Sequence, residues 1–386
     1  MNVAGATKAG RTPVVGGLPM FPGFLSRLYG CLAPREVLAR CHLVCVQWRQ
    51  TRGNWSTLML NDAGEALLLL QASVPSGVRS ITLETFLLSL YGRLGTLQLE
   101  ELILCQPSHL GAVLLPTFST LAILKVHMDG YAFRDVFTEQ DFKYLHALPC
   151  LTELEIWAMP DALTVSAAGL DDLAALQLVR LHLHNCVDLR TSRTRDINLA
   201  LGLRELELTQ VEGWTNAAMG GFWRLQNLKR LSLHGCREFS AEGMRCLPPH
   251  LTSLDLTETF VGEVEIRALA TFPALVHLTL ARCLRLTDEG LGALRSCVQL
   301  QSLSLDFCRQ LGDAALAHIA FLVNLHDLGL NICERITDAG LRHVACLPAL
   351  VQLWIVMCPL VTEAGLSCLD PRLRVMSWLP DTECLD

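Results

Sequence analysis

The feature that most constrains the fold is a unit of 25 residues that recurs near the C-terminus. Its apolar positions follow Leu-x-x-Leu-x-Leu-x-x-Cys, apart from one Ile, and the units begin at Leu275, Leu300, Leu325 and Leu350. Because leucines alternate with other residues in the Leu-x-Leu segment, each unit predicts a short strand with one apolar face. A single unit cannot bury its own leucines, whereas stacked units bury a continuous core. The sequence therefore predicts one long repeat array.

The same pattern extends backward along most of the 386 residues. Earlier units are spaced 21 to 30 residues apart and begin at Trp55, Val78, Leu99, Leu121, Leu151, Leu178, Leu203, Leu228 and Leu251. A terminal, capping unit begins at Leu373. We expect about a dozen repeats over residues 55–378, with parallel strands inside a curve and helices outside it.

A second motif follows the cysteine and reads Thr-Asp-x-Gly-Leu. It is clearest in "CLRLTDEGL" at 283–291 and "CERITDAGL" at 333–341. Thr287 or Asp288 predicts a helix N-cap, because either side chain can accept a hydrogen bond from a free backbone N–H. Gly290 and Gly340 indicate a close approach of helix and strand. We expect the cysteine at the turn off the strand, where a small side chain fits and can serve buried loop amides.

The period and the two motifs resemble leucine-rich repeats, and the Thr-Asp-x-Gly-Leu version resembles their cysteine-containing subtype. The resemblance implies an α/β solenoid, a curved horseshoe with parallel strands on the concave face and helices on the convex face. It covers residues 55–378. The flanking parts are an N-terminal segment expected to be disordered (1–17), a helical module (18–54) and a C-terminal tail (379–386).

The helical module is a segment with its own apolar pattern. Apolar residues at helical spacing predict short amphipathic helices on both sides of Pro34, which is tolerated in a first turn. The segment resembles an F-box, chiefly through "VCVQWR" at 44–49 and "FLSRLYGCLAPREV" before it. Its start departs from the family pattern, since Gly23 stands where an acidic residue is usual and the opening Leu-Pro is displaced.

An F-box followed by cysteine-type repeats is the layout of substrate receptors of cullin–RING ubiquitin ligases. The resemblance implies that the F-box binds a Skp-type adaptor, and through it a cullin, while the repeats bind the substrate protein. The residues carried over to the adaptor contact or its support are Pro22, Leu25, Leu28, Leu32, Pro34, Val44, Cys45 and Trp48. The alternative is an interaction scaffold whose F-box-like helices only cap the solenoid.

Catalytic motifs were sought and none was found. The sequence has no Gly-rich phosphate loop, no H-E-x-x-H and no G-x-S-x-G, so we expect a non-catalytic subunit without cofactor or metal. Cys41, His42 and Cys45 are interpreted as structural core, because no second Cys/His pair lies nearby. A net charge of −7 argues against nucleic-acid binding, and no apolar run is long enough for a membrane span.

The 16 cysteines point to a reducing compartment. No signal-peptide-like apolar segment begins the chain, so we expect reduced thiols and a cytoplasmic or nuclear protein. Mitochondrial import is the alternative, since nothing before Glu36 is acidic, but the segment lacks an amphipathic pattern rich in Ser and Arg. We expect the repeat cysteines in the core, and also those near helix ends: Cys150, Cys246, Cys297, Cys346 and Cys368.

The substrate surface is expected on the concave face, where the residues between the strand leucines point. The central ones are interpreted as an ordinary solvated sheet: His182, His184, Glu205, Glu207, Arg230, His234, Asp255 and His277. Toward the C-terminus an apolar stripe is predicted, with Asp306, Asp327, Asn331 and Gln352 as a polar rim. The predicted substrate-binding residues are Phe307, Ile332, Trp354, Met357, Asp306 and Asn331. Residues 379–386 are the alternative cover for this stripe, or a part of the pocket.

Overall fold

The computed structural model describes residues 14–15, 18–19, 57–60, 78–83, 98–105, 118–128, 138–159, 163–190 and 197–378. The helices of the F-box-like module, the predicted adaptor-contact residues from Pro22 to Trp48 and the tail 379–386 lie outside these described residues. In the described ranges, no helix is long and apolar enough to cross a bilayer.

Fourteen strands form one sheet in strict sequence order, and every neighbouring pair in it is parallel. A separate antiparallel pair joins β1 (Val14–Val15) to β2 (Leu18–Pro19). The strands of the large sheet are β3 (Thr57–Leu60), β4 (Ser80–Leu83), β5 (Glu101–Cys105), β6 (Ile123–Met128), β7 (Glu153–Ala158), β8 (Arg180–His184), β9 (Glu205–Thr209), β10 (Arg230–Ser232), β11 (Ser253–Asp255), β12 (His277–Thr279), β13 (Ser302–Ser304), β14 (Asp327–Gly329), β15 (Gln352–Val356) and β16 (Arg374–Trp378).

In the described ranges, short helices connect the strands from β6 to β8 and from β9 to β16. The α-helices in the described ranges are Phe142–Leu145, Ala167–Ala174, Asn216–Met219, Ala241–Met244, Glu263–Ala268, Asp288–Leu291, Asp313–Ile319, Asp338–Val344 and Glu363–Leu366. The 3-10 helices in the same ranges are Glu139–Asp141, Phe222–Arg224, Leu269–Thr271 and Gly292–Ser296. Each connection returns the chain to the same end of the sheet, as parallel pairing requires.

The predicted leucine-rich-repeat solenoid is confirmed. A strand begins one or two residues after each unit start, from Trp55 to Leu373, so the expected number of about a dozen units is two too low. The strand leucines stack in register, since Leu303 on β13 pairs with Leu278 on one side and Leu328 on the other. All three are fully buried, and they belong to one continuous core.

The repeat cysteines link each unit to the one before it. The thiols of Cys283, Cys308 and Cys358 donate to the carbonyl oxygens of Leu256, Leu280 and Leu330, at sulfur–oxygen distances of 3.2, 3.1 and 3.0 Å. These carbonyls end the strands of the preceding units. Backbone N–H groups of the preceding turn also bond to these sulfurs, for example those of Arg282 and Cys283 to Cys308, so the thiols serve loop amides as expected and strand-end carbonyls as well.

Thr287 is the N-cap residue of the helix Asp288–Leu291, but its side chain accepts no hydrogen bond there, so the predicted capping bond is wrong at this residue; Thr337 makes it in its own unit, by accepting from the N–H of Ala339. The motif has a second role between units. The carboxylate of Asp313 accepts hydrogen bonds from the backbone N–H and the hydroxyl of Thr337 in the next unit, at 2.8 and 2.7 Å. A Cβ placed on Gly340 would meet Asp313 Oδ1 far inside the 3.0 Å that real contacts keep. The glycine therefore admits the preceding helix and its carboxylate, and the expected helix–strand approach is wrong.

One unit departs from the motif in two places at once. Gly312 stands where Thr337 stands in the next unit, and Ala315 stands where Gly340 does. Asp288 Oδ1 accepts the backbone N–H of Gly312 at 2.8 Å, but the glycine offers no hydroxyl to the second carboxylate oxygen. Without a threonine hydroxyl at position 312, the Asp288 carboxylate is not held against the helix that follows Gly312. The space that glycine leaves free in the other units is therefore available here for the methyl group of Ala315.

We expect Gly340→Ala to lower the free energy of unfolding by about 1–3 kcal/mol, because the new methyl overlaps a carboxylate that is fixed by two hydrogen bonds. Urea denaturation followed by circular dichroism measures the change.

Gly292→Ala is the matched control. Its backbone is right-handed (φ −56°), and a Cβ there would make only ordinary contacts of 3.6 Å with the ring of His318. We expect no loss, or a gain of up to about 1 kcal/mol from the lower entropy of the unfolded chain. Equal losses in both variants would contradict the role assigned to Gly340.

Candidate functional site

One edge of the concave face is formed by a row of turn residues in the left-handed conformation. The row, called here the rim row, is Asn185, Gln210, Gly235, Glu258, Arg282, Phe307, Ile332 and Met357, with φ between 56° and 71°. Each member directly precedes the buried residue at the cysteine position. Main-chain hydrogen bonds join successive units here, for example from Phe307 N–H to the carbonyl of Asn331 and from Ile332 N–H to that of Val356.

The chemistry of the rim row changes along the solenoid. Arg282 donates to Glu258 Oε1 at 2.8 Å, and its guanidinium lies over the ring of Phe307 at 4.5 Å. Beyond Phe307 the row is apolar, with Ile332 and then Met357, which is 51% exposed. The left-handed region costs an ordinary residue about 1–2 kcal/mol, and a β-branched one such as Ile332 is a genuine outlier there. The turn imposes this conformation, so the bulky apolar side chains need another explanation.

Trp354 lies beside this apolar end, in the middle of β15. Its register partners are Gly329 on β14 and Met376 on β16. Gly329 presents no side chain next to the half-buried indole, and Met376 is 56% exposed. Phe307, Ile332, Trp354, Met357 and Met376 are called here the C-terminal apolar surface. The capping pattern Leu373-x-x-Met376-x-Trp378 predicts Met376 at an inward position, which is wrong, because Val375 pairs with the buried Leu353 and Met376 with Trp354.

Asp306 and Asn331 both have structural partners. Asp306 Oδ1 accepts the backbone N–H of Asn331 at 2.8 Å, and its Oδ2 accepts the hydroxyl of Ser304 at 3.1 Å. Asn331 Oδ1 in turn accepts the backbone N–H of Val356 at 2.9 Å. These side chains fix the turns that carry the rim row, and both remain half-buried at the border of the C-terminal apolar surface.

A second group of side chains lies at the centre of the concave face, on β7, β8 and β9. The ring of His184 stacks on Trp157, with 3.8 Å between centroids and 21° between planes, and Trp157 is 44% exposed. His184 Nδ1 lies 3.3 Å from Thr209 Oγ1 and 3.8 Å from Glu207 Oε1. His184 is buried, so the interpretation of this centre as an ordinary solvated sheet is wrong at that residue. The stacked Trp157 covers it.

Burial and neighbouring charges shift the pKa values of three titratable side chains at the centre of the concave face. Burial, followed by repulsion from His182, lowers the pKa of His184 to about 4, so its ring is neutral at pH 7. Burial also raises the pKa of the Glu207 carboxyl. Burial by itself raises the pKa of the Glu155 carboxyl. The hydrogen bond from Trp157 Nε1 and the charge of Lys125 outweigh this effect, so the pKa is lowered overall.

The cysteines fall into two classes. Those of the repeat position are buried free thiols, and burial raises the pKa of Cys236 and Cys308 to about 12 and that of Cys283 to about 11. Of the helix-end cysteines expected in the core, Cys297 is buried, Cys246 is half-buried, and Cys150, Cys346 and Cys368 are exposed. The thiols of Cys346 and Cys368 bond to carbonyls of their own helices, as that of the half-buried Cys246 does.

No protein-family model matches the chain. A chain of the crystal structure of the Rad7 and Elc1 complex in yeast is similar to it, with a TM-score of 0.48 and 16% sequence identity, over 91% of this chain and 90% of that chain. An internalin (inlF) from Listeria monocytogenes is similar with a TM-score of 0.47 and 15% identity, over 90% of this chain and 95% of that chain.

The two cysteine classes lead to an expected labelling pattern. At pH 8 we expect a maleimide to modify Cys150, Cys346 and Cys368 in the folded protein within minutes, while Cys283 and Cys308 stay unmodified. The thiolate is the reacting species, and a pKa of about 11–12 leaves less than about one thousandth of a thiol in that form. Peptide mass spectrometry measures the pattern.

Labelling after denaturation is the control, and there we expect all 16 thiols of the chain to react, as reduced cysteines should. Modification of Cys308 in the folded protein at the rate of Cys346 would show that the repeat position is not buried.

Proposed function

We propose that this chain is the substrate-recognition subunit of a Skp–cullin–F-box ubiquitin ligase. The repeats hold the substrate protein on the concave side near the C-terminal end, and residues 18–54 hold the Skp-type adaptor, which brings the cullin. The chain itself performs no chemistry. The observation that carries the proposal is the C-terminal apolar surface, defined above by Phe307, Ile332, Trp354, Met357 and Met376.

The residues of the apolar surface occupy neighbouring positions of successive units. Phe307, Ile332 and Met357 occupy three successive turns, and Trp354 and Met376 are direct register partners on neighbouring strands. Contiguous exposed apolar residues on a folded domain mark interaction sites far more often than isolated ones do. Tryptophan is the side chain most enriched among energetic anchors of interfaces. Trp354 therefore acts as the anchor, with the three rim side chains around it.

The left-handed turns add an independent argument. Glycine or asparagine would occupy these turns at lower cost, and Gly235 and Asn185 do so earlier in the row. A chain that keeps Ile332 there retains a strained residue without any gain in core packing, because the side chain points out of the core. Residues held in unfavourable backbone conformations cluster at functional sites. Substrate contact explains the choice of Phe, Ile and Met.

The border of the surface sets its polarity. Asp306 and Asp327 offer carboxylates next to the apolar residues, while Arg282 lies over the outer edge at Phe307. A substrate segment with an apolar side chain for the indole and a hydrogen-bond donor beside it fits this border. An interface of this kind has an apolar centre and a polar rim.

The proposed adaptor contact and the proposed substrate contact belong to different parts of the chain. The F-box-like segment precedes β3 in the sequence, and the apolar surface lies on β13 to β16, at the other end of the fourteen-stranded sheet from β3. Thirteen strand spacings of about 4.8 Å separate β3 from β16, which amounts to roughly 60 Å along the sheet. The two halves of the proposal can therefore be tested by separate substitutions.

For the substrate end, we expect Trp354→Ala with Phe307→Ala to reduce substrate recovery by about 30-fold or more, since anchors of this kind contribute about 2 kcal/mol or more. The measurement is quantitative mass spectrometry of proteins that co-purify from cells in which the proteasome is inhibited.

Trp223→Ala is the matched control, because Trp223 is a tryptophan on a 3-10 segment between strands and is 59% exposed, more than the half-buried Trp354. Adaptor recovery should stay constant in all variants. If substrates survive loss of Trp354 and Phe307 but are lost with His182→Ala or Arg230→Ala, the binding site is the centre of the sheet.

For the adaptor end, we expect Leu28→Ala with Leu32→Ala to abolish recovery of the Skp-type adaptor and the cullin, because these residues are the apolar anchors that the F-box resemblance assigns. The melting temperature of the repeat domain is measured in parallel and should not change. Unchanged adaptor recovery would favour the alternative function, a scaffold in which residues 18–54 only cap the solenoid.

A further inference from the structure

The centre of the concave face gathers two imidazoles and a carboxylate at one point. His182 and His184 are two residues apart on β8, so both side chains leave the same face of the strand. Glu207 on β9 is the register partner of His182. One ligand atom of each of the three residues lies within 4.8 Å of the others, and His184 Nδ1 is 3.8 Å from Glu207 Oε1.

We propose that His182, His184 and Glu207 form a binding site for a zinc ion. Two histidine nitrogens and one glutamate oxygen are ligands that Zn²⁺ takes in proteins, at metal–ligand distances of about 2.0–2.2 Å. A tetrahedral ion with such bonds needs its ligand atoms roughly 3.3 Å apart. The observed separations, at most 4.8 Å, exceed this value by at most about 1.5 Å, so binding of the ion requires small side-chain rotations.

One polar atom of the group gives the proposal a second basis. The Nε2 atom of His182 is buried and has no hydrogen-bond partner among the described residues. Its nearest acidic neighbour, Glu205 Oε1, is 3.6 Å away. Buried polar atoms are almost always satisfied, so an orphan imidazole nitrogen beside a second imidazole and a carboxylate indicates a missing partner. A cation at this point supplies one.

The surroundings hold the ligands in place. Trp157 stacks on His184 and fixes the plane of its ring. Groups that orient a ligating histidine in this way strengthen metal sites. Thr209 Oγ1 lies 3.3 Å from His184 Nδ1, the nitrogen that faces Glu207, so the ion takes the place of this hydrogen bond when it binds. With three protein ligands, the fourth position of the ion opens toward the concave groove, because Glu207 is half-exposed there. Water, or a donor side chain of a bound protein, completes the coordination.

Cobalt is the probe that separates this site from the cysteines of the chain. The full-length protein is purified, stripped with a chelator and titrated with Co²⁺ in reducing buffer. We expect one equivalent of Co²⁺ with visible ligand-field bands and without the near-ultraviolet charge-transfer band that thiolate ligands produce. Zn²⁺ should displace it, and Mg²⁺ should not, because imidazole ligands suit zinc and cobalt but not magnesium.

His182→Ala and Glu207→Gln should each weaken Co²⁺ binding at least tenfold, since loss of one of three protein ligands removes a third of the protein's donors. His277→Ala is the matched control, an exposed histidine of the same face on β12, and should bind as the wild type does. Circular dichroism checks that each variant is folded. Two results would overturn the proposal: no stoichiometric Co²⁺ bands, or binding that persists unchanged in both His182→Ala and Glu207→Gln.

Discussion

Each unit of this protein buries its leucines only against the units on either side, and the rest of the structure depends on that constraint. The parallel ladder holds Leu303, Leu328 and Leu353 side by side, and a shift of one residue in any strand would turn its leucines to solvent. Two side-chain hydrogen bonds outside the strands join neighbouring units and support the same register. The thiol of Cys308 reaches the preceding strand end, and the carboxylate of Asp313 reaches the following helix start.

Because backbone bonds set the register, the outward side chains can vary without changing the fold. The same left-handed turn carries Asn185 in one unit and Ile332 in another. Two surfaces of different chemistry therefore share one sheet, an apolar one around Trp354 and a group of imidazoles and carboxylates around His184. Places where a residue conflicts with its local conformation, such as Ile332, are where a function distinct from folding is expected.

The links between units also explain which parts of the motif tolerate change. Where Thr337 holds the carboxylate of Asp313, residue 340 must be glycine, since a Cβ would strike that carboxylate. Where Gly312 replaces the threonine, Ala315 replaces the glycine. The two positions are coupled through an oxygen atom of the neighbouring unit and not through each other.

The sequence by itself determined the unit length, the parallel order and the buried leucines, because spacing and alternation are properties of a few neighbouring residues. It also indicated Phe307, Ile332, Met357 and Trp354 as an outward group. Tertiary structure alone decided that Cys346 faces out, that Gly340 faces a carboxylate, and that Trp157 covers His184 beside Glu207. The last two contacts join residues about one repeat length apart, whose side chains meet only once the units have stacked.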